Sequence, residues 1–320
     1  MSIAVAGAGA FGTALAVALA RAGREVTLWA RDAAAVEAMQ AERTAPRLAG
    51  VTLPEGIRPT GDADALAQAQ SVLLAVPAQA TRGFLQQNRA RLAGKALVAC
   101  AKGIELASLT GQTALIAEEM PDAVPALLTG PSFAADIARG LPTALTLACR
   151  EAEIGQALQH ALSTPELRLY TTTDCTGAEL GGALKNVIAI ACGACLGAGY
   201  GRSAHAALMT RGFAEITRLA SALGARPETL AGLSGFGDLV LTCSSEQSRN
   251  MAMGLALGRG EDWDPAITVE GAATAGAAVR LAERLGLELP VSTVVARMVA
   301  REMTAPEALR ALLDRPLKEE

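Results

Sequence analysis

The tightest constraint on this chain lies in its first two dozen residues. A short apolar run, Ile3–Ala6, ends in Gly7-Ala8-Gly9-Ala10-Phe11-Gly12, and an Ala/Leu-rich stretch, Thr13–Ala22, follows until Gly23 stops it. Strand, glycine turn and helix in that order give each glycine a separate task. Gly7 makes the tight turn, Gly9 lets the backbone approach a pyrophosphate, and Gly12 lets helix and strand pack closely. The helix start adds unpaired N–H groups and a partial positive charge. Glycine is frequent here, at 32 residues, so the spacing alone says little. Its place between a strand and a helix, in a βαβ unit that ends near Arg31, makes it a dinucleotide-binding turn.

The end of the second strand bears on which dinucleotide. An acidic residue there holds the ribose hydroxyls of NAD, and an arginine accommodates the extra phosphate of NADP. The sequence reads Trp29-Ala30-Arg31-Asp32 and offers both. Arg31 comes first and favours NADPH; Asp32 keeps NAD open.

Strand and helix signals alternate beyond this point. Strands are expected over 25–30, 72–76, 97–101, 126–129, 144–148 and 167–171, with helical segments between most of them. That alternation implies βαβ units and a parallel sheet covered on both faces. After about Thr173 the texture becomes helical throughout, with glycine-rich turns at 197–201, 232–237 and 258–260. The expected architecture is α/β, with a Rossmann-type doubly wound sheet in 1–176 and an all-α domain in 177–320.

Composition removes most other classes of function. With 51% apolar and 19% charged residues, the chain can bury sizeable cores. A net charge of −4 and 3% aromatics leave neither the basic density nor the stacking rings of a nucleic-acid groove. Only two histidines are present, His160 and His205, so multi-histidine metal centres are excluded and no metal is expected. His205 is read as a helix-surface or interface residue. The six cysteines sit mostly in apolar or Ala/Gly-rich runs, as reduced core thiols of a cytoplasmic protein would. Cys192-x-x-Cys195 falls mid-helix and reads the same way. No leader is expected before Ile3. The most apolar later stretch, 187–198, is broken by Gly193 and Gly197, so no membrane span is expected.

Three further clusters carry chemistry. The first is Lys102-Gly103 after a strand, with Gly130-Pro131-Ser132-Phe133-Ala134. The second is Gly181-Gly182-Ala183-Leu184-Lys185-Asn186. The third is Gly237-Asp238-Leu239 with Ser248-Arg249-Asn250. Lys185 lies one helical turn beyond Gly181 and Gly182, on a face without side chains to block a ligand. A lysine there can be partly desolvated, which suits it to giving or taking a carbonyl proton. Arg249 offers a bidentate match to a phosphate, with Ser248 and Asn250 as further donors; the plainer alternative is a helix N-cap beside an exposed arginine. Asp238 either orients Lys185, or accepts a substrate hydroxyl, or only caps the following helix. Lys102 fits a second cation at the carboxyl edge of the sheet.

Together these clusters resemble the NAD(P)-dependent glycerol-3-phosphate dehydrogenase family of the bacterial biosynthetic type, over nearly the whole chain. The resemblance implies reduction of dihydroxyacetone phosphate, a small phosphorylated triose, to sn-glycerol 3-phosphate for phospholipid synthesis. It implies proton transfer by Lys185 and substrate contacts at Lys102, Gly130, Ser132, Asp238, Ser248, Arg249 and Asn250. Cofactor contacts are implied at Ala10, Phe11, Arg31, Lys102, Ala134, Arg249 and Glu270, and the assembly implied is a homodimer. This chain departs from the family in having Ala10-Phe11 for a common Ser-Trp, and Ser203 for a usual Asn. Two rival readings are another hydroxyacid dehydrogenase of Rossmann-plus-helical build and a non-catalytic NAD(P)H sensor. The Ser-Arg-Asn block argues against the first and a lysine at the nicotinamide against the second.

Overall fold

The computed structural model describes residues 2–314. These form two compact units, 2–105 with 110–179, and 106–109 with 180–314. The first unit carries one sheet of β1 (Ile3–Ala6), β2 (Val26–Trp29), β3 (Ile57–Thr60), β4 (Ser71–Leu74), β5 (Ala96–Ala99), β6 (Val124–Thr129), β7 (Thr143–Cys149) and β8 (Leu167–Thr172). Its spatial order is β3-β2-β1-β4-β5-β6-β7-β8. The helices of this unit are α1 (Ala10–Arg21), α2 (Ala33–Ala41), α3 (Thr81–Gln87), α4 (Arg89–Leu92), α5 (Gln112–Glu119), α6 (Ala134–Ala138) and α7 (Ala152–Leu162).

Strand periodicity sorts the core. Ile3 and Val5 of β1 face a cluster with Leu15, Met39, Ile137 and Leu158 from α1, α2, α6 and α7. Ala4 and Ala6 face the opposite cluster, with Leu85, Leu92 and Ile116 from α3, α4 and α5. Successive side chains of a strand point to opposite faces, so a strand buried on both sides reads as a continuous apolar run. The chain reverses its direction of travel across the sheet between β1 and β4, and the crevice at the carboxyl ends of such a pair is where ligands bind in doubly wound sheets.

Two features of the sheet were not expected. β3 pairs parallel to β2 with Pro59 opposite Leu28. Arg58 and Pro59 hide this strand from periodicity; proline is tolerated because β3 is the edge, where an N–H need not serve a ladder. β7 runs antiparallel to β6, whereas a fully parallel sheet was expected. The connection between them contains only α6, and five helical residues advance roughly 7–8 Å. So short a helix does not run the length of a six-residue strand of roughly 20 Å, as the helix of a parallel crossover usually does.

The remaining helices are α8 (Cys175–Gly197), α9 (Gly201–Ala222), α10 (Pro227–Ala231), α11 (Asp238–Ser244), α12 (Arg249–Arg259), α13 (Glu270–Arg284), α14 (Pro290–Val299) and α15 (Ala305–Leu313). The division between the units falls inside α8, between Glu179 and Leu180. By length and composition α8 passes as a membrane-crossing helix, with 23 residues and a mean hydropathy of 1.5 in its most apolar window, and 89% of that window is buried inside the protein. Gly193 and Gly197, expected to interrupt it, lie within it.

They do so because α12 packs onto them backbone to backbone. A methyl group placed on Gly193 would lie 2.3 Å from the Met251 carbonyl oxygen, and one on Gly197 would lie 2.3 Å from that of Leu255. Reciprocally, methyl groups placed on Gly254 and Gly258 of α12 would lie 2.2 and 2.3 Å from the carbonyl oxygens of Ile190 and Ala194. Both helices thus present glycine four residues apart to the same seam, and any side chain there forces them apart. Gly254→Ala is expected to lower the unfolding free energy by ~1–3 kcal/mol in urea titrations, the usual range for overpacking a close contact.

Candidate functional site

The glycine turn after β1 takes the shape its sequence implies. Gly7 has φ +119°, and a methyl on it would lie 2.7 Å from the Ala75 carbonyl oxygen in the loop after β4. A methyl on Gly12 would lie 2.1 Å from the Gly7 carbonyl oxygen. Gly9 differs, since nothing stands within 4 Å of the corresponding position. Gly9 is the N-cap of α1 and no side chain caps that end. The first N–H groups of the helix, at Ala10, Phe11 and Gly12, therefore have no partner within the helix, and the space over Gly9 is open, which fits a pyrophosphate. Phe11 and Ala10 are half-buried and pack on the core beneath.

At the end of β2, Arg31 is exposed. Asp32 is the N-cap of α2, and its Oδ1 accepts from the N–H groups of Ala34 and Ala35 at 3.1 and 3.3 Å. The carboxylate that kept NAD open is thus engaged in capping, while the guanidinium next to it faces solvent.

The second cation sits beside its expected partners. Lys102 Nζ donates to the Gly130 carbonyl oxygen at 2.8 Å, and Ser132 Oγ donates to the same oxygen at 3.1 Å. Gly130 has φ +130°, a conformation other residues rarely adopt, and it aims that carbonyl. Ala134 begins α6 two residues after Ser132. Downstream of Lys102, the start of α5 is held by Glu179, whose carboxylate accepts from Thr113 N at 2.5 Å and from Thr113 Oγ1 at 3.0 Å. Glu179 keeps part of its surface in solvent, but its carboxyl lies against Gly111, close enough that a methyl there would be 2.3 Å from Oε2. Desolvation pushes this carboxyl up to about 7, against the Thr113 hydrogen bonds that pull it down. A carboxyl raised in the fold stabilises it below its unfolded value and loses that contribution as pH rises through about 7. Glu179→Gln cannot ionise, so its Tm relative to the natural chain should increase between pH 5 and pH 8; a flat difference would place the proton elsewhere.

In the second unit, Lys185 is buried, with 6% of its surface exposed. Its Nζ lies 3.0 Å from Asp238 Oδ1 and donates to Thr242 Oγ1 at 2.6 Å. The Thr242 hydroxyl in turn donates to the Asp238 carbonyl oxygen at 2.7 Å. Asp238 is 1% exposed and stands at the first position of α11, where Gly237 is the cap. Of the three alternatives for Asp238, the geometry is that of orienting Lys185. Thr242 was absent from the sequence reading; its signal was the spacing Asp238-x-x-x-Thr242, which places both on one helical face.

The bare helix face at Gly181 is used differently from the expectation. A methyl there would lie 2.8 Å from the Ser234 carbonyl oxygen and 2.9 Å from Gly235 Cα. The glycine admits the turn 233–237, which delivers Asp238 to Lys185, and leaves no room at that point for a ligand.

The α12 residues also show their bonding. Ser248 is the N-cap, accepting from Met251 N at 3.3 Å, and Arg249 is exposed in the first turn. Asn250 is spanned by protein contacts. Its Oδ1 accepts from Gly271 N at 2.9 Å, and its Nδ2 donates to Asn186 Oδ1 at 2.9 Å. One of the two N–H groups on Asn250 Nδ2 is used in that bond. Glu270 opens α13 beside Gly271. His205, expected at a surface or interface, is 6% exposed, and its Nε2 lies 2.9 Å from the Cys243 carbonyl oxygen. It ties α9 to α11 because that carbonyl, near the helix end, lacks an intrahelical donor. All six cysteines are free and buried.

Comparison with known proteins bears on the whole chain. Residues 2–155 match the family model for the NAD-dependent glycerol-3-phosphate dehydrogenase N-terminus, and residues 174–310 match the model for its C-terminus. The chain is 60% identical over 321 residues to a glycerol-3-phosphate dehydrogenase (NAD(P)+) of Ruegeria sp. (strain TM1040), covering 100% of both chains. It is 61% identical over 320 residues to one of Paracoccus denitrificans (strain Pd 1222), again covering 100% of both. The crystal structure of glycerol-3-phosphate dehydrogenase from Coxiella burnetii superposes with a TM-score of 0.93 at 36% identity, over 98% of this chain and 99% of that one.

Proposed function

The chain belongs to the NAD-dependent glycerol-3-phosphate dehydrogenase family, and from that premise we propose that it reduces dihydroxyacetone phosphate to sn-glycerol 3-phosphate with Lys185 as proton donor. The observation that carries this reading is the buried ammonium of Lys185, held by Asp238 Oδ1 at 3.0 Å and Thr242 Oγ1 at 2.6 Å. An ammonium out of water is retained only where it is paired and hydrogen-bonded. Such a cation is already in place before negative charge develops on a neighbouring oxygen.

NAD(P)H, when bound, supplies the hydride that adds to C2 of the ketone. Gly7, Gly9, Gly12, Ala10 and Phe11 fit its pyrophosphate, and Arg31 with Ala134 and Glu270 are the further contacts carried over from the family. Capping by Asp32 leaves the exposed Arg31 as the available strand-end group, which favours NADPH. As C2 becomes tetrahedral its oxygen gains negative charge, and Lys185 Nζ gives that oxygen a proton. The amine left behind is neutral; in the reverse direction it takes the proton from the C2 hydroxyl. Asp238 keeps the nitrogen aimed and stabilises its charged form.

The substrate phosphate suits the guanidinium of Arg249, which matches it bidentately, with the remaining N–H of Asn250 and the Ser248 hydroxyl as further donors. Lys102, with Gly130 and Ser132, is the second cationic contact. The phosphate is remote from the reacting carbon, so its binding energy goes into orientation. The product's chemistry suits supply of the glycerol backbone to phospholipids. A cytoplasmic location accords with six free thiols. A homodimer through the second unit accords with the apolar groove of about 790 Å³ bounded there by α8, α9, α14 and α15.

Oxidation of NADPH and of NADH with dihydroxyacetone phosphate, measured side by side, tests the reaction and the cofactor preference together. Lys185→Ala should lower kcat by about 100-fold or more, as expected for a lost general acid, while the folded variant still binds dinucleotide. Arg249→Ala should raise KM for dihydroxyacetone phosphate and leave turnover of unphosphorylated dihydroxyacetone nearly unchanged. Equal losses on both substrates would remove the phosphate role.

A further inference from the structure

Lys102 stands on a loop without regular structure, between the end of β5 and the start of α5, and its ammonium donates to the Gly130 carbonyl oxygen. Several contacts in the first unit fix the segment just after it. The Gly103 carbonyl oxygen accepts from Gln112 Nε2 at 3.1 Å, and that of Ile104 accepts from Gln79 Nε2 at 2.8 Å. Glu105 N donates to the Thr110 carbonyl oxygen at 3.0 Å and closes the loop on itself. The strongest hold is ionic. Arg82 of α3 meets the Glu105 carboxylate with two parallel hydrogen bonds, Nε to Oε1 at 2.7 Å and Nη2 to Oε2 at 2.8 Å.

The same guanidinium donates to Glu118 at 3.0 and 3.2 Å and to Glu119, both near the end of α5. Glu119 also receives Arg89 at 3.3 Å and Gln86 at 3.2 Å. Arg82 is therefore the hub that locks α3, α5 and the loop together. Glu105 is only 8% exposed, so its carboxylate depends heavily on this partner. Without the guanidinium, that carboxylate loses both of these hydrogen bonds at a point mostly closed to water, and the backbone three residues from Lys102 is held less firmly.

We propose that Arg82 is a positioning residue for the reaction, acting through its bidentate grip on Glu105 to hold the loop that presents Lys102. The inference rests on the reading of Lys102 as a substrate contact. A fork is needed here, because a point charge such as lysine cannot fix both carboxylate oxygens.

Steady-state kinetics on the full-length enzyme test it with Lys102→Met, Arg82→Met and the double variant. Lys102→Met should raise KM for dihydroxyacetone phosphate by roughly 10-fold, and Arg82→Met should raise it by about 5-fold with kcat changed less than about 2-fold. The double variant should be no worse than Lys102→Met alone, because Arg82 acts only through that ammonium. Arg82→Lys should restore little of the loss, and Glu105→Gln, which keeps shape and one hydrogen bond, should reproduce part of it. Glu105→Gln also carries the test if Arg82→Met does not fold. An unchanged KM in Lys102→Met would refute the substrate role of Lys102 and this inference with it. A raised KM in Lys102→Met beside unchanged kinetics in the folded Arg82→Met or Glu105→Gln would overturn the inference alone. Additive losses in the double variant would do so too.

Discussion

A buried ammonium is the constraint around which the second unit is organised. Lys185 has lost most of its water, and it is held by a carboxylate and a hydroxyl that stand four residues apart on α11. Such a pair contributes little to stability by itself, because desolvating both charges offsets much of their attraction. Its use lies in geometry. The cation is kept at a defined point by two partners on one helical face.

Helix α8 makes that placement possible by what it lacks. Gly181 lets the turn 233–237 lie directly on the helix, so that Asp238 arrives within reach of Lys185. Gly193 and Gly197 admit α12 to carbonyl contact, and α12 begins with the Ser248-Arg249-Asn250 block. Asn250 then bonds Asn186, the neighbour of Lys185, and the backbone of Gly271 at the start of α13. Three helix starts are thereby indexed to one helix, which fixes the spacing between Lys185 and the Ser248-Arg249-Asn250 block.

Much of this was legible in the sequence, and the failures have physical causes. The shape of the glycine turn after β1 could be read because Gly7, Gly9 and Gly12 have distinct surroundings within six residues. Buried strands could be read as apolar runs, whereas β3 was lost behind Arg58 and Pro59 because an edge strand owes less to burial. The direction of β7 depends on the short reach of α6, which local pattern does not report. Glycines in α8 were read as breaks or as room for a ligand, since sequence shows that a side chain is missing and not what fills its place. Lys185 and Arg249 stood out by chemistry. Thr242, the orientation of the Asn250 amide and the burial of His205 depend on partners 64 or fewer residues away in the chain and unrelated by any local repeat.

In the mechanism we propose, the Lys185 ammonium itself supplies the proton. Lys185→Gly opens a space where that side chain stood, and small alkylammonium ions can be added to the folded, dinucleotide-binding variant. Saturable recovery of dihydroxyacetone phosphate reduction, graded by the acidity of the added ion and absent with neutral amides of the same size, is the result expected if Lys185 is the proton donor. A variant that turns over at nearly the natural rate without any added ion would contradict it, as would recovery that neutral amides match.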